Sequence, residues 1–461
     1  MNLQEKAISY KEEVINAIQE AIRIKSVEEA PLPGKPFGKG PAEALSYFLQ
    51  LGESMGFEVE NFDNYAGHID FGSGDETIGI LGHVDVVPEG EGWSHPPYAG
   101  EIEDGKIYGR GVLDDKGPMI TCLYAMKAIK DSGLKTGKKI RMILGANEES
   151  GWGCMDHYFG KLNMPHPDLS FTPDSTFPVT FAEKGIMQVV LKKRYENSEN
   201  IKIKGGNAFN SVSEKAFLEI SEDSGKIISD HINSFNKDKN YKIEMEKKSG
   251  NLIFTSNGKS AHASRPDKGY NAISALMKLI SESGYRGGAL EEIGIFFSEK
   301  IKMETNGRSM GIAFEDQDSG QLSLNIGMIS LENNNLEISV DIRYPVTVEK
   351  DAVLKGIEKN ASEFGMEMEI TGGKDPLYVP RDHFLVKTLM DVYKDVTGDM
   401  DAQPIAIGGG TYARAIKNCV AFGSLLKDQE DNMHQKDEYL EIGKIDTWLK
   451  IYAEAIYKLA K

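Results

Sequence analysis

Apolar positions over the first 180 residues follow two different periods. "PAEALSYFLQLGESMG" reads as an amphipathic helix, and so does the charged start of the chain over about residues 4–23. "ETIGILGHVDVV", "KKIRMILGAN" and "PDLSFTPD" are compact apolar runs that predict strands, with the helical "GPMITCLYAMKAIKDSG" between the first two. Buried strands alternating with helices predict an α/β sheet covered on both faces. The pattern changes after about Lys184, where residues 192–250 become rich in Lys, Asn, Ser and Glu. Alternating strands return at "NLIFTSN", "QLSLNIGMISL" and "NLEISVDIRYPV", beside helical "NAISALMKLISES" and "KDAVLKGIEKNASEFG". These predict a second, α+β domain of roughly 200 residues. Signals compatible with the first domain come back near residue 380. The expected organisation is a discontinuous domain of 1–185 and 380–461 with residues 186–379 inserted as a lid.

Composition narrows the class. A chain of 461 residues exceeds what one core usually supports, and 40% hydrophobic with 27% charged residues describes a soluble globular protein. A net charge of −18 argues against nucleic acid and anionic membranes as partners. The start lacks a signal peptide's apolar core, and no run approaches the roughly 18 apolar residues of a membrane span. A cytoplasmic location is the expectation. Cys122, Cys154 and Cys419 are far apart, and Cys122 and Cys419 have apolar neighbours, which favours buried thiols over disulfides or a nucleophile.

His-x-Asp occurs at His68–Asp70, His83–Asp85 and His166–Asp168, and neighbourhood separates the three. Only His83 ends a buried apolar run, at the sheet edge where ligands of open α/β sheets gather. Residues two apart on a strand share a face, so Asp85 is expected to hold the His83 ring and fix its tautomer. Asp114 and Asp115 in "YGRGVLDDKGP" precede a helix, Glu148 and Glu149 end a strand, and so does Asp174 in "TPDSTFP". His434 follows in "DNMHQKDEYL". Acidic pairs are usually solvated, but successive strand ends carrying carboxylate or imidazole form a mixed N/O ligand set suited to Zn²⁺, Mn²⁺ or Co²⁺. "IGGGTYARA" is neither a phosphate loop nor Gly-x-Gly-x-x-Gly, so nucleotide binding is not expected. A glycine-rich turn opening a helix can still offer backbone N–H groups to an anion.

These segments, with "SAHASRP", "DIRYP" and "GGGTYAR", resemble in order the M20 metallopeptidases, most closely the PepV-type dipeptidases. The resemblance implies a zinc-peptidase-like catalytic domain, its mixed sheet covered by helices, with a large inserted α+β lid. It implies two zinc ions, replaceable by manganese or cobalt, with His83 and Asp174 on one, Glu149 and His434 on the other, and Asp114 bridging both, its peptide bond to Asp115 being cis. Asp85 would orient His83, Glu148 would be the general base, and His262 from the lid would hydrogen-bond the oxyanion. Asn210, Arg343, Gly410, Tyr412 and Arg414 would receive the carboxylate end of a dipeptide, and the large lid implies a monomer. An N-acyl amino acid deacylase would use the same metals and base. A silent peptide-binding protein would have no use for Glu148.

Overall fold

The computed structural model describes residues 2–198, 200–237 and 239–461. The chain divides into two compact units, Met1–Phe181 with Val379–Ile405 and Gly410–Lys461, and Ala182–Tyr378 with Ala406–Gly409. The mixed α/β architecture expected from the sequence is the one the chain adopts.

The sheet of the first unit runs in the order Glu58–Phe62, Ala66–Phe71, Lys139–Gly145, Thr77–His83, Leu169–Thr172, Cys419–Ala421 and Thr180–Glu183. Its central pairings are parallel, and its flanking ones are antiparallel. Ile78, Ile80, Leu81, Ile140, Met142 and Leu144 are buried, because strands covered on both faces have no solvent side. Helix Lys116–Asp131 is apolar nearly all round and packs on Ile445–Ala460. It comes so near the Thr77–His83 strand that a Cβ on Gly82 would lie 2.2 Å from Met119 Sδ and 2.3 Å from Asp115 Oδ2. Glycine at this position lets the helix N-terminus meet the strand end. The predicted first helix is broken: Leu3–Ile8 ends where the Ser9 hydroxyl turns back on the Lys6 carbonyl at 2.6 Å, and Lys11–Ile22 follows. Parallel strands finish on one edge, so Asp85, Glu148, Glu149 and Asp174, each just beyond a strand end, are delivered to the same place.

The second unit is an eight-stranded antiparallel sheet in the order Ile243–Lys248, Asn251–Asn257, Lys215–Ser221, Lys202–Gly205, Ser323–Glu332, Asn335–Tyr344, Gly185–Arg194 and Glu367–Lys374. One face is covered by Glu222–Asn236, Ala272–Glu282, Gly288–Phe296 and Lys350–Ser362, around a core that includes Leu218, Phe254, Leu276, Ile293, Val340 and Ile357. The other face alternates polar side chains, as in Lys215–Ser221, where Ala216, Leu218 and Ile220 point inward. Among the described residues, no helix is long and apolar enough to cross a membrane.

Candidate metal centre

His83 closes its strand fully buried. Its Nδ1 lies 3.0 Å from the Asp85 carbonyl oxygen, which can only accept, so Nδ1 carries the proton. That leaves Nε2 with a lone pair facing Asp114 Oδ1 at 3.0 Å, acceptor against acceptor. Either a second proton or a cation must lie on that line. The other oxygen of Asp114 faces His434 Nε2 at 2.8 Å, and His434 Nε2 also lies 3.2 Å from Glu149 Oε1. One carboxylate therefore stands between two imidazoles, one oxygen to each. The peptide bond from Asp114 to Asp115 is cis.

Ligand atoms of His83, Glu148 and Asp174 lie within 4.8 Å of one another, as do those of His83, Asp114 and Glu149. Asp115 Oδ1 is buried with no hydrogen-bond donor on it among the described residues. The shifts follow the charges. Burial pushes Asp174 well up, with Asp114 and Glu148 adding repulsion. Burial also pushes Glu148 up to about 7, with Glu149, Asp114 and Asp85 adding to it and His83 opposing. Burial would raise Asp114 too, but the His434 and His83 imidazoles on its two oxygens hold it below the usual range. Hydrogen bonds to Asp114 and Glu149 raise His434 to about 11. The raised Asp115, Glu148, Glu149 and Asp174 and the imidazoles driven toward the cationic form together describe a cluster short of positive charge. The donor set therefore fits divalent cations.

Asp85 does something the sequence did not suggest. Its carboxylate is 3.5 Å from His83 Nδ1, and it is the Asp85 backbone oxygen that takes the ring N–H. The carboxylate instead accepts the Glu148 N–H at 3.0 Å and the Glu149 N–H at 3.1 Å, holding the turn that carries both glutamates. Trp152, within a segment without an expected role, donates its indole N–H to Glu148 Oε1 at 2.9 Å. The other His-x-Asp pairs have separate occupations. Asp70 binds Arg141 through both oxygens at 2.8 and 2.7 Å, and Asp168 accepts the Thr77 N–H at 2.7 Å.

The remaining expected residues divide between the units. Tyr412 is fully buried in the first, its hydroxyl 3.0 Å from Cys154 Sγ and its ring against His83 and Trp152. This placement backs the metal centre and offers no surface to a ligand, which corrects the expectation of a substrate contact. Gly410 lies close to Arg414, whose Nε would be 3.0 Å from an added Cβ. In the second unit, Asn210 O accepts the Ala263 N–H at 2.9 Å, which sets Asn210 beside His262. His262 Nδ1 accepts the Ser264 N–H at 3.1 Å, so the proton sits on Nε2 as a free donor. Desolvation and the charge of Arg343 lower the His262 pKa and keep the ring neutral. Arg343 is buried, and its Nε and Nη2 are bound to Asp341 at 2.6 and 3.1 Å, with Nη1 on the Gly408 carbonyl at 3.1 Å. Much of the fork is thus committed inside the protein.

An α/β sheet edge that collects two histidines and several buried carboxylates is a donor set of the kind that metal-dependent hydrolases use. The chain belongs to peptidase family M20/M25/M40, whose model matches residues 79–458. It is 40% identical over 476 positions to "Putative dipeptidase YtjP" of Bacillus subtilis (strain 168), covering 100% of both chains. Its fold is similar to that of human carnosine dipeptidase 1, at TM-score 0.59 and 15% identity over 99% of this chain and 98% of the other. Aminoacylhistidine dipeptidase from Vibrio alginolyticus is similar to the same degree, at TM-score 0.59 and 13% identity over 97% and 96%.

Proposed function

We propose that this protein hydrolyses the peptide bond of dipeptides with two divalent cations, zinc or in its place manganese or cobalt. The observation that carries the reading is Asp114, with one carboxylate oxygen on each of two imidazoles. His83 and Asp174 would hold one cation, Glu149 and His434 the other, with Asp114 shared. Bound there, a cation pair lowers the pKa of water and polarises a carbonyl.

The residues divide the remaining work. Glu148, held by Trp152 and by the Asp85 anchor on its N–H, accepts a proton from the attacking water as the new C–O bond forms. It returns that proton to the amine nitrogen as the C–N bond breaks. The neutral His262 donates its Nε2–H to the oxyanion. Asn210 and Arg343 receive the substrate carboxylate, with Gly410 and Arg414 on the glycine-rich turn. Soluble dipeptides are the partners on this reading, and the chain works as a cytoplasmic monomer. The test is hydrolysis of Ala-Ala, Ala-Ala-Ala and N-acetyl-alanine by the zinc-loaded protein. Cleavage of Ala-Ala far above the other two is expected. Cleavage of N-acetyl-alanine alone would move the reading to a deacylase.

A further inference from the structure

Glu438 is a fully buried carboxylate four residues after His434, and the chemistry above gives it no task. Its Oε2 accepts Arg110 Nη1–H at 2.7 Å, with the two side chains 1% and 2% exposed. Its Oε1 accepts the Leu113 N–H at 2.9 Å, and the Gly111 N–H is shared at 3.2 and 3.1 Å between the two oxygens. The main chain joins the same two segments. Tyr439–Glu441 pairs antiparallel with Lys106–Tyr108, and the Gly109 N–H donates to the Glu438 carbonyl at 2.9 Å.

Beyond that ladder the two segments run on toward the metal centre, one to Asp114 and the other to His434, and their side chains meet at 2.8 Å. The Gly111–Leu113 stretch has no strand partner there, and the Glu438 carboxylate takes its N–H groups instead. Gly111 makes this path possible: its φ is +91°, and a Cβ would lie 2.7 Å from Val86 Cγ1. Arg110 is in turn fixed, its Nη2 on the Glu89 carbonyl at 3.4 Å and its guanidinium 5.2 Å from the Trp93 ring. If this ion pair served stability alone, apolar side chains of similar volume would do as well. The N–H groups of the loop into Asp114 need an acceptor that apolar side chains cannot supply.

We infer that Glu438 is a positioning residue that sets the loop of Asp114 and the segment of His434 in one frame, and so fixes the geometry of the cation position they share. The inference rests on the two-cation reading. The test challenges zinc-loaded protein with a chromophoric chelator and follows the release of each zinc equivalent, alongside thermal unfolding. In Glu438→Gln, an amide N–H₂ meets donors, and one of the two equivalents should be held about 10- to 100-fold more weakly, as for other residues that orient ligands. The paired change Arg110→Met with Glu438→Leu removes the buried charges together but still leaves the Gly111 and Leu113 N–H groups without an acceptor, so it should still release that zinc early. If the paired variant holds both equivalents as tightly as the wild type, Glu438 is only structural and the inference is overturned. A wild-type protein that retains no zinc under the same challenge would instead remove the two-cation reading on which the inference stands.

Discussion

The two units of this chain handle buried charge in opposite ways. At the sheet edge of the first, Asp85, Asp114, Asp115, Glu148, Glu149 and Asp174 gather around two imidazoles. The adjacent Lys116 commits its ammonium to the carbonyls of Ala21 and Ile24 at 3.0 and 2.7 Å. In the second unit the buried Arg343 is matched at once by Asp341, which Gln188 also supports at 3.1 Å. An imbalance of that size calls for something positive to be bound. A balanced pair can offer only directed hydrogen bonds. Removing what the first cluster lacks should therefore be drastic, and disturbing the second should be mild.

The largest effect is expected from removing cations. Exhaustive chelation should abolish hydrolysis and lower the unfolding temperature, and zinc should restore both. A cation present at a thousand times its Kd contributes about 4 kcal/mol to stability, so the shift is measurable by calorimetry. Full activity and an unchanged transition after chelation would erase the contrast between the units.

Next come the two glutamates. Glu148→Ala should lose about 10²- to 10⁴-fold in kcat while retaining both zinc equivalents, since only a proton carrier is removed. Glu149→Ala should lose one equivalent. Equal metal loss in the two proteins would show that the proposed division is wrong. His262→Ala is expected to cost about 10²- to 10³-fold in kcat with metal content unchanged, and an unaltered kcat would make this imidazole structural.

Asp85→Asn tests the anchor on the glutamate turn. An amide keeps one acceptor oxygen, so one of the two N–H groups loses its partner. Activity should fall about 10- to 100-fold, and hydrogen exchange at the Glu148 and Glu149 amides should quicken. Loss of activity with both amides still protected would return Asp85 to the role of holding the His83 ring.

That residue also marks where legibility ended. His83, Glu148, Glu149 and Asp174 stood out in the sequence because each is a ligand-type side chain at or just beyond the end of an apolar strand, and parallel strands end together, whereas Asp114 and His434 come from loops. The target of Asp85 did not, because its partners are backbone N–H groups of the turn that follows another strand, which carry no residue signature. Tyr412 was hidden for a similar reason. A glycine-rich turn reads as open, yet its tyrosine fills the space behind His83, where strand residue Gly145 leaves room for the hydroxyl 2.0 Å from where a Cβ would stand. In the second unit, Lys202–Gly205 escaped notice because its outward positions are lysines, while Gly185–Arg194 and Lys215–Ser221 did so because apolar Ile186, Val190 and Phe217 fall on the outward side and blur the alternation. The Asp341–Arg343 pair was legible in principle from the strand period of two. Reading Arg343 by its charge alone hid its partner.

The smallest effect concerns that arginine. A lone buried guanidinium would bind a carboxylate through both charge and hydrogen bonds, and a dipeptide amide would then be rejected by several orders of magnitude. Asp341 already balances the charge, so a substrate carboxylate gains mainly the hydrogen bonds. One such bond to a charged group contributes about 1.5 to 3 kcal/mol, roughly ten- to hundredfold. The expected kcat/KM ratio of Ala-Ala over its amide lies at the low end, about tenfold, and should fall toward one in Arg343→Lys, whose single ammonium must serve Asp341 first. A ratio above a thousand in the wild type would mean that the carboxylate meets unbalanced positive charge after all. A ratio that survives intact in Arg343→Lys would place carboxylate recognition on other groups, with Arg414 and the backbone around Gly410 the next to test.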